Sequence, residues 1–201
     1  MPKTAATQFP VHELIHERWS PRAFLNKGVP PEILQSLFEA ARWAPSCSNE
    51  QPWAFLVGIR GDGDTFHTIV GTLVEANQVW AKQAPVLVVA VSELAFAKSG
   101  KSNRNAFYDT GAAVSQLTTE ATSRGLSVHQ MAGFDPRKAV GAFAIPNGWE
   151  PISVFALGYP GDPQTLPETL RERELAPAKR KPLREFVMSG NWGTAAPFAH
   201  E

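Results

Sequence analysis

A single cysteine, Cys47, stands in 201 residues, so an intrachain disulfide is excluded, as is any all-cysteine metal or iron-sulfur site. A reducing compartment suits such a chain, and the cytoplasm is the expected location. No apolar run reaches the roughly 18 residues that mark a membrane-spanning helix, and the segment Met1 to Pro10 lacks the charged region and apolar stretch of a signal peptide. Net charge is also missing. Nineteen Lys plus Arg balance nineteen Asp plus Glu, so no whole-chain field draws nucleic acid or an anionic membrane, and any anion site must be local. Internal repeats, heptads and low-complexity tracts are absent too. Hydrophobic residues make up 43% of the chain, enough for one substantial core, and the expectation is a single domain over 1–201.

The seventeen prolines sit mostly at segment edges and act as punctuation. Val11, Leu14, Ile15 and Arg18 share a helical spacing that breaks at Ser20-Pro21, so a short helix delivers Arg18 to its C-terminal end. Pro30-Pro31 opens an amphipathic helix with Ile33, Leu34, Leu37, Phe38 and Ala41 on one face, ending near Trp43-Ala44-Pro45. Trp53 to Val57 reads as a strand, Phe66 to Val74 as a helix, and Val86 to Val91 as a central strand covered on both faces. From Asn105 to Arg124 a long helix rich in small residues runs up to Gly125. Leu126 to Met131 reads as a strand, Asp135-Pro136 as a helix cap, and Ile152 to Leu157 as the last strand. Alternating helices and strands indicate α/β or α+β.

Two segments carry chemistry. Arg18, Ser20 and Arg22 alternate around a helix end, where two guanidinium groups and a hydroxyl can converge on one phosphate monoester. Seen alone, such a triplet is more often a solvated basic turn. The stretch Pro45-Ser46-Cys47-Ser48-Asn49-Glu50-Gln51-Pro52-Trp53 is dense in short hydrogen-bonding groups suited to the polar edge of a ligand, and its plain reading is a helix-to-strand connector.

Taken together and in order, these segments resemble the N-terminal signature of the nitroreductase family: basic-x-Ser-x-basic, an amphipathic helix ending Ala-Ala-Arg-x-Ala-Pro-Ser, then Asn-x-Gln-Pro-Trp. Asp109-Thr110-Gly111-Ala112-Ala113, Gly125-Leu126, Gly133-Phe134-Asp135, Ala156-Leu157-Gly158-Tyr159-Pro160 and Lys179-Arg180-Lys181-Pro182-Leu183 resemble its later blocks. The resemblance implies an α+β nitroreductase-like fold, with a mixed central sheet flanked by helices in an intertwined homodimer. A C-terminal tail from about residue 163 is expected to extend over the partner. It implies non-covalent FMN, with NADH or NADPH as donor, ping-pong transfer to a small acceptor, and no catalytic side chain. By the same resemblance, Arg18, Ser20, Arg22 and Arg180 hold the phosphate and ribityl end of FMN, with Trp19 contributing backbone. Pro45, Ser46, Cys47 and Ser48 come from the other subunit along the ring and ribityl. Met131, Ala132 and Gly133 line the ring edge with backbone groups, and Asn77 and Gln51 are further candidates. Relatives often carry Ser or Thr at the position of Cys47, and some an acidic residue at that of Ala132.

The remaining conspicuous residues have plain readings. Cys47 lacks a resolving partner and reads as a small polar wall. His12 and His16 are one turn apart without a third ligand, and Gly61-Asp62-Gly63-Asp64 lacks the closing Glu of a calcium loop, so no metal is expected. Trp80, Phe96, Phe107 and Tyr108 either line a substrate funnel or fill the core. Dehalogenation, azoline oxidation, flavin fragmentation and flavin storage with little turnover are the rival functions.

Overall fold

In the computed structural model, which describes residues 4–199, Val86–Glu93 forms β2, and its residues Val86 to Ala90 have no exposed surface. A run of β-branched and other apolar side chains makes this the middle of the sheet, because both faces of the pleat must be covered. β1 (Trp53–Ile59) pairs with one side of β2, and β4 (Trp149–Gly158) with the other. β3 (Ser127–Met131) pairs with β4, giving the order β1-β2-β4-β3. Every pairing is antiparallel. The α+β class stands, but the sheet of the described residues is antiparallel where a mixed one was expected.

The pleat divides the core. Val86, Val88 and Ala90 face the layer of α2 (Pro31–Arg42) and α5 (Ala106–Ser123), whereas Leu87, Val89 and Val91 face the layer of α3 (Thr65–Thr72), α4 (Glu75–Ala81) and α6 (Pro136–Phe143). Alternation along one strand thus builds three layers. α2 begins at the expected proline and buries Leu34, Leu37 and Ala41; replacing the fully buried Leu37 by Ala should cost about 2 to 5 kcal/mol. α5 ends before Gly125, whose φ of +70° closes the helix without the Cβ penalty. Asp135 caps α6 through the Arg137 and Lys138 amides.

The helix expected from Phe66 to Val74 is α3, which stops at Thr72; Leu73 and Val74 are extended, and α4, which follows them, was not anticipated. Trp80 lies inside the core and Phe107 and Tyr108 outside it, with Phe96 half-buried. Residues beyond Pro163 include α7 (Glu168–Leu175) and fold against the N-terminal segment of their own chain.

Candidate functional site

α1 (Glu13–Glu17) is capped by His12, whose Nδ1 accepts from the Leu14 amide, and it ends at Arg18 because Pro21 cannot continue it. The chain then runs as an extended strap along the end of β4. Gly161 N–H donates to Ala23 O at 2.8 Å, and Leu25 N–H donates to Tyr159 O at 2.9 Å. Only glycine fits at 161, since a Cβ there would lie 2.8 Å from the Phe24 carbonyl carbon.

Two side chains hold the strap from elsewhere in the sequence. Glu174, on α7, accepts from the amides of Arg22 at 2.8 Å and Ala23 at 3.4 Å, and pairs with Arg22 Nη1 at 3.5 Å. His129, on β3, contacts Pro21 O through Nδ1 at 2.9 Å, so this nitrogen carries the proton. Burial holds the His129 imidazole down to about 4, with the nearby Arg22 and Arg18 charges adding to the effect and the Pro21 bond opposing it. It is neutral at pH 7.

Above the strap lies an open cavity of about 1520 Å³ that brings together Arg18, Trp19, Ser20, Arg22 and Arg180. Arg18 Nη1 donates to Ser20 Oγ at 3.2 Å. Burial, and then the neighbouring Arg180 charge, hold the Arg18 guanidinium below its ordinary value. Arg173, Lys181 and Arg184 also line the cavity, and Glu174 is the one carboxylate among its described lining residues. Like charges gathered at a partly desolvated surface make a site complementary to an anion, and the guanidinium forks match phosphate oxygens. The residues fit a phosphate monoester.

The hydroxyl-rich loop is elsewhere. Ser46 Oγ accepts from the Gln51 amide at 3.0 Å, Gln51 Nε2 donates to Asn49 O at 3.1 Å, and Asp109 Oδ2 on α5 accepts from the Cys47 amide. Ser48, Asn49 and Gln51 have φ values of 54°, 57° and 51°, each costing on the order of 1 kcal/mol. This loop, from Pro45 to Pro52, leads into the Trp53 end of β1, whereas the strap adjoins Tyr159 and Gly161 just past β4, level with Ile59 at the opposite end of β1.

Met131 ends β3 with its side chain in the core, so only its backbone can face a ligand. Asn77 Nδ2 and the Val74 amide both donate to Gly133 O, at 3.0 and 3.1 Å, and a Cβ at 133 would lie 2.6 Å from Asn77 Nδ2. Ala132, between them, is exposed. β3 connects this corner to the strap through His129.

Glu174 and His129 escaped the sequence. Glu174 sits in Arg171-Glu172-Arg173-Glu174, which reads as a solvated helix face, and His129 is one residue of a strand.

A family model described as the nitroreductase family matches residues 15–64 and 61–159. A solved structure described as an oxidoreductase containing FMN superimposes with a TM-score of 0.88 at 36% identity, covering 94% of this chain and 96% of the other. An uncharacterized 15.4 kDa protein of Mycolicibacterium smegmatis is 40% identical over 149 residues, 69% of this chain and 97% of its own. Iodotyrosine deiodinase 1 of Sus scrofa is 24% identical over 206 residues, 89% of this chain and 68% of its own. The fold is thus that of an FMN-containing oxidoreductase of known structure. The chain belongs to the nitroreductase family.

Proposed function

We propose that this protein is an oxidoreductase that holds FMN without a covalent bond and passes electrons from NADH or NADPH to a small acceptor, such as a nitroaromatic or a quinone, by a ping-pong mechanism. The observation that carries this reading is the convergence of Arg18, Ser20 and Arg180 on one cavity, with Arg22 beside them. FMN, when bound, supplies the carrier that accepts hydride from the nicotinamide and returns electrons to the acceptor. Arg18, Arg22 and Arg180 bind the phosphate with charge-assisted bonds, Ser20 adds a neutral donor, and Trp19 contributes backbone. Ser46, Cys47, Ser48 and Gln51 supply short polar groups along the ring and ribityl, and the backbone at Met131, Ala132 and Gly133 lines the ring edge near Asn77. No side chain is assigned as acid or base, and the protons that the acceptor would take up with the electrons come from solvent.

The two halves of this site lie at opposite ends of the sheet's strands, so one chain does not close it around a single flavin. A second copy resolves this in a homodimer, with the strap from one subunit and the Pro45–Gln51 loop from its partner. The outer face of α5 suits such an interface: Phe107, Tyr108, Gly111 and Ser115 are all exposed. The tail presents Trp192 and Phe198, 94% and 74% exposed, which suits an extension over the partner.

Likeness to a deiodinase favours a second reading, reductive dehalogenation on the same site. The test is an absorbance spectrum of purified protein, identification of the flavin released on denaturation, and anaerobic titration with each nicotinamide. Turnover is then measured with menadione, a nitroarene and an iodotyrosine. The proposal expects a yellow protein that releases FMN and not FAD, and is reduced by at least one nicotinamide. A colourless protein that takes up no added FMN ends it. Bound FMN with negligible turnover on all acceptors would indicate a flavin-storage protein instead, and halide release would select the dehalogenase reading.

A further inference from the structure

The strap that carries Arg18, Ser20 and Arg22 is irregular backbone, and nothing in its own sequence fixes where those side chains point. Its aim comes from outside. Glu174 receives the Arg22 amide through both carboxylate oxygens, at 2.8 and 3.1 Å, and the Ala23 amide at 3.4 Å. His129 takes the opposite polarity, donating to Pro21 O. Donors and acceptors of three consecutive residues are thereby engaged by side chains from α7 and β3, 152 and 108 residues away.

We propose that Glu174 and His129 are positioning residues for phosphate recognition, clamping the Pro21–Ala23 backbone from both sides so that Arg18, Ser20 and Arg22 face one phosphate monoester. The inference rests on the flavin reading above, which supplies that monoester as FMN.

A carboxylate beneath an anion site would ordinarily compete with the ligand for its arginines. Here the geometry limits that competition. The Arg22 amide lies closer to the Glu174 oxygens than the Arg22 guanidinium does, at 2.8 and 3.1 Å against 3.5 Å, so the backbone bonds are shorter than the ion pair with the arginine. The side chain of Glu174 is 1% exposed, which keeps water from replacing those bonds. His129 donates as a neutral ring, and its packing on Trp80 at 4.5 Å between centroids fixes the ring plane.

A purely structural role would weaken the binding of all flavins alike, whereas a phosphate-positioning role weakens FMN and spares riboflavin, which lacks the phosphate. The experiment measures both affinities for the full-length protein and for Glu174→Ala, His129→Leu and His129→Asn, the last placing an amide N–H where Nδ1 stood. The expected result is a fall of about tenfold or more in the preference for FMN over riboflavin in Glu174→Ala and His129→Leu, with riboflavin affinity within about threefold of wild type. His129→Asn should retain most of the preference. Parallel losses for both flavins, or an unchanged preference, would overturn the proposal. Should Glu174→Ala fail to fold, the two His129 variants decide it alone. If the wild-type protein binds neither flavin, the functional reading fails separately, and calorimetric titration with inorganic phosphate judges the clamp: weaker binding in His129→Leu supports it, and equal or absent binding in wild type and variant overturns it.

Discussion

The backbone N–H of Cys47 donates to Oδ2 of Asp109 at 2.9 Å, joining the hydroxyl-rich loop to the first turn of α5 across 62 residues of sequence. Asp109 is 4% exposed, so this charge-assisted bond is shielded from water. It holds a loop whose left-handed residues would relax if released. Asp109→Ala should destabilise the protein by about 1 to 3 kcal/mol and lower the affinities for FMN and riboflavin together. Urea unfolding and flavin titration check both. A selective loss of FMN would place the loop at the phosphate and contradict the assignment.

Cys47 itself is half-buried, and it is the backbone of this residue that secures the loop. Cys47→Ser should therefore keep FMN and most turnover, because serine is close in size and leaves the Asp109 bond in place. Turnover with saturating NADH or NADPH and a quinone measures this. Complete loss with flavin still bound would give the thiol a chemical role.

His129 links stability to pH. Its folded-state value, lowered to about 4 by burial, lies below the roughly 6.5 of an unfolded chain, so the unfolded state binds more protons between those values. Stability from this group is fully present above about pH 6.5 and falls as pH drops toward 4, by up to about 3 kcal/mol. Below that both states are protonated and the loss stops. Urea midpoints across this range should fall less steeply for His129→Asn than for wild type; equal slopes would remove His129 as the source.

The shared-site dimer is tested by subunit exchange. Arg22→Ala loses a guanidinium near the phosphate and should bind FMN roughly 10- to 150-fold more weakly. Ser46→Trp fills the loop half. Mixing the two under exchange conditions should restore FMN binding, since one site of the mixed dimer combines an intact strap with an intact loop. No recovery, or a stable monomer that binds FMN as tightly as the bulk protein, would defeat the arrangement.

Most of the architecture was legible where periodicity and punctuation agreed. Pro31, Gly125 and Asp135 marked helix ends that stand as read, and Val86 to Val91 showed the middle of the sheet through its unbroken apolar character. The early end of α3 at Thr72 was hidden, because Leu73 and Val74 sit at helical spacing and look the same whether the backbone coils or extends. Strand direction was hidden for a related reason: local pattern does not record which way a neighbour runs. Of the candidate site, Arg18, Ser20 and Arg22 were picked out by spacing and resemblance and Arg180 by resemblance, and all four line one cavity, while Glu174 and His129 act through contacts more than a hundred residues long, which no window on the sequence contains.

That length also orders events during synthesis. Arg22 emerges early, but the carboxylate that fixes its backbone follows 152 residues later, about 8 to 30 s at ordinary rates of translation. Arg180 follows later still. The nascent chain thus carries an unset strap until α7 has left the ribosome. On the flavin reading, the phosphate end of the site is set only after α7 is made, and a truncation just before Glu174 should retain the whole central sheet while weakening FMN binding.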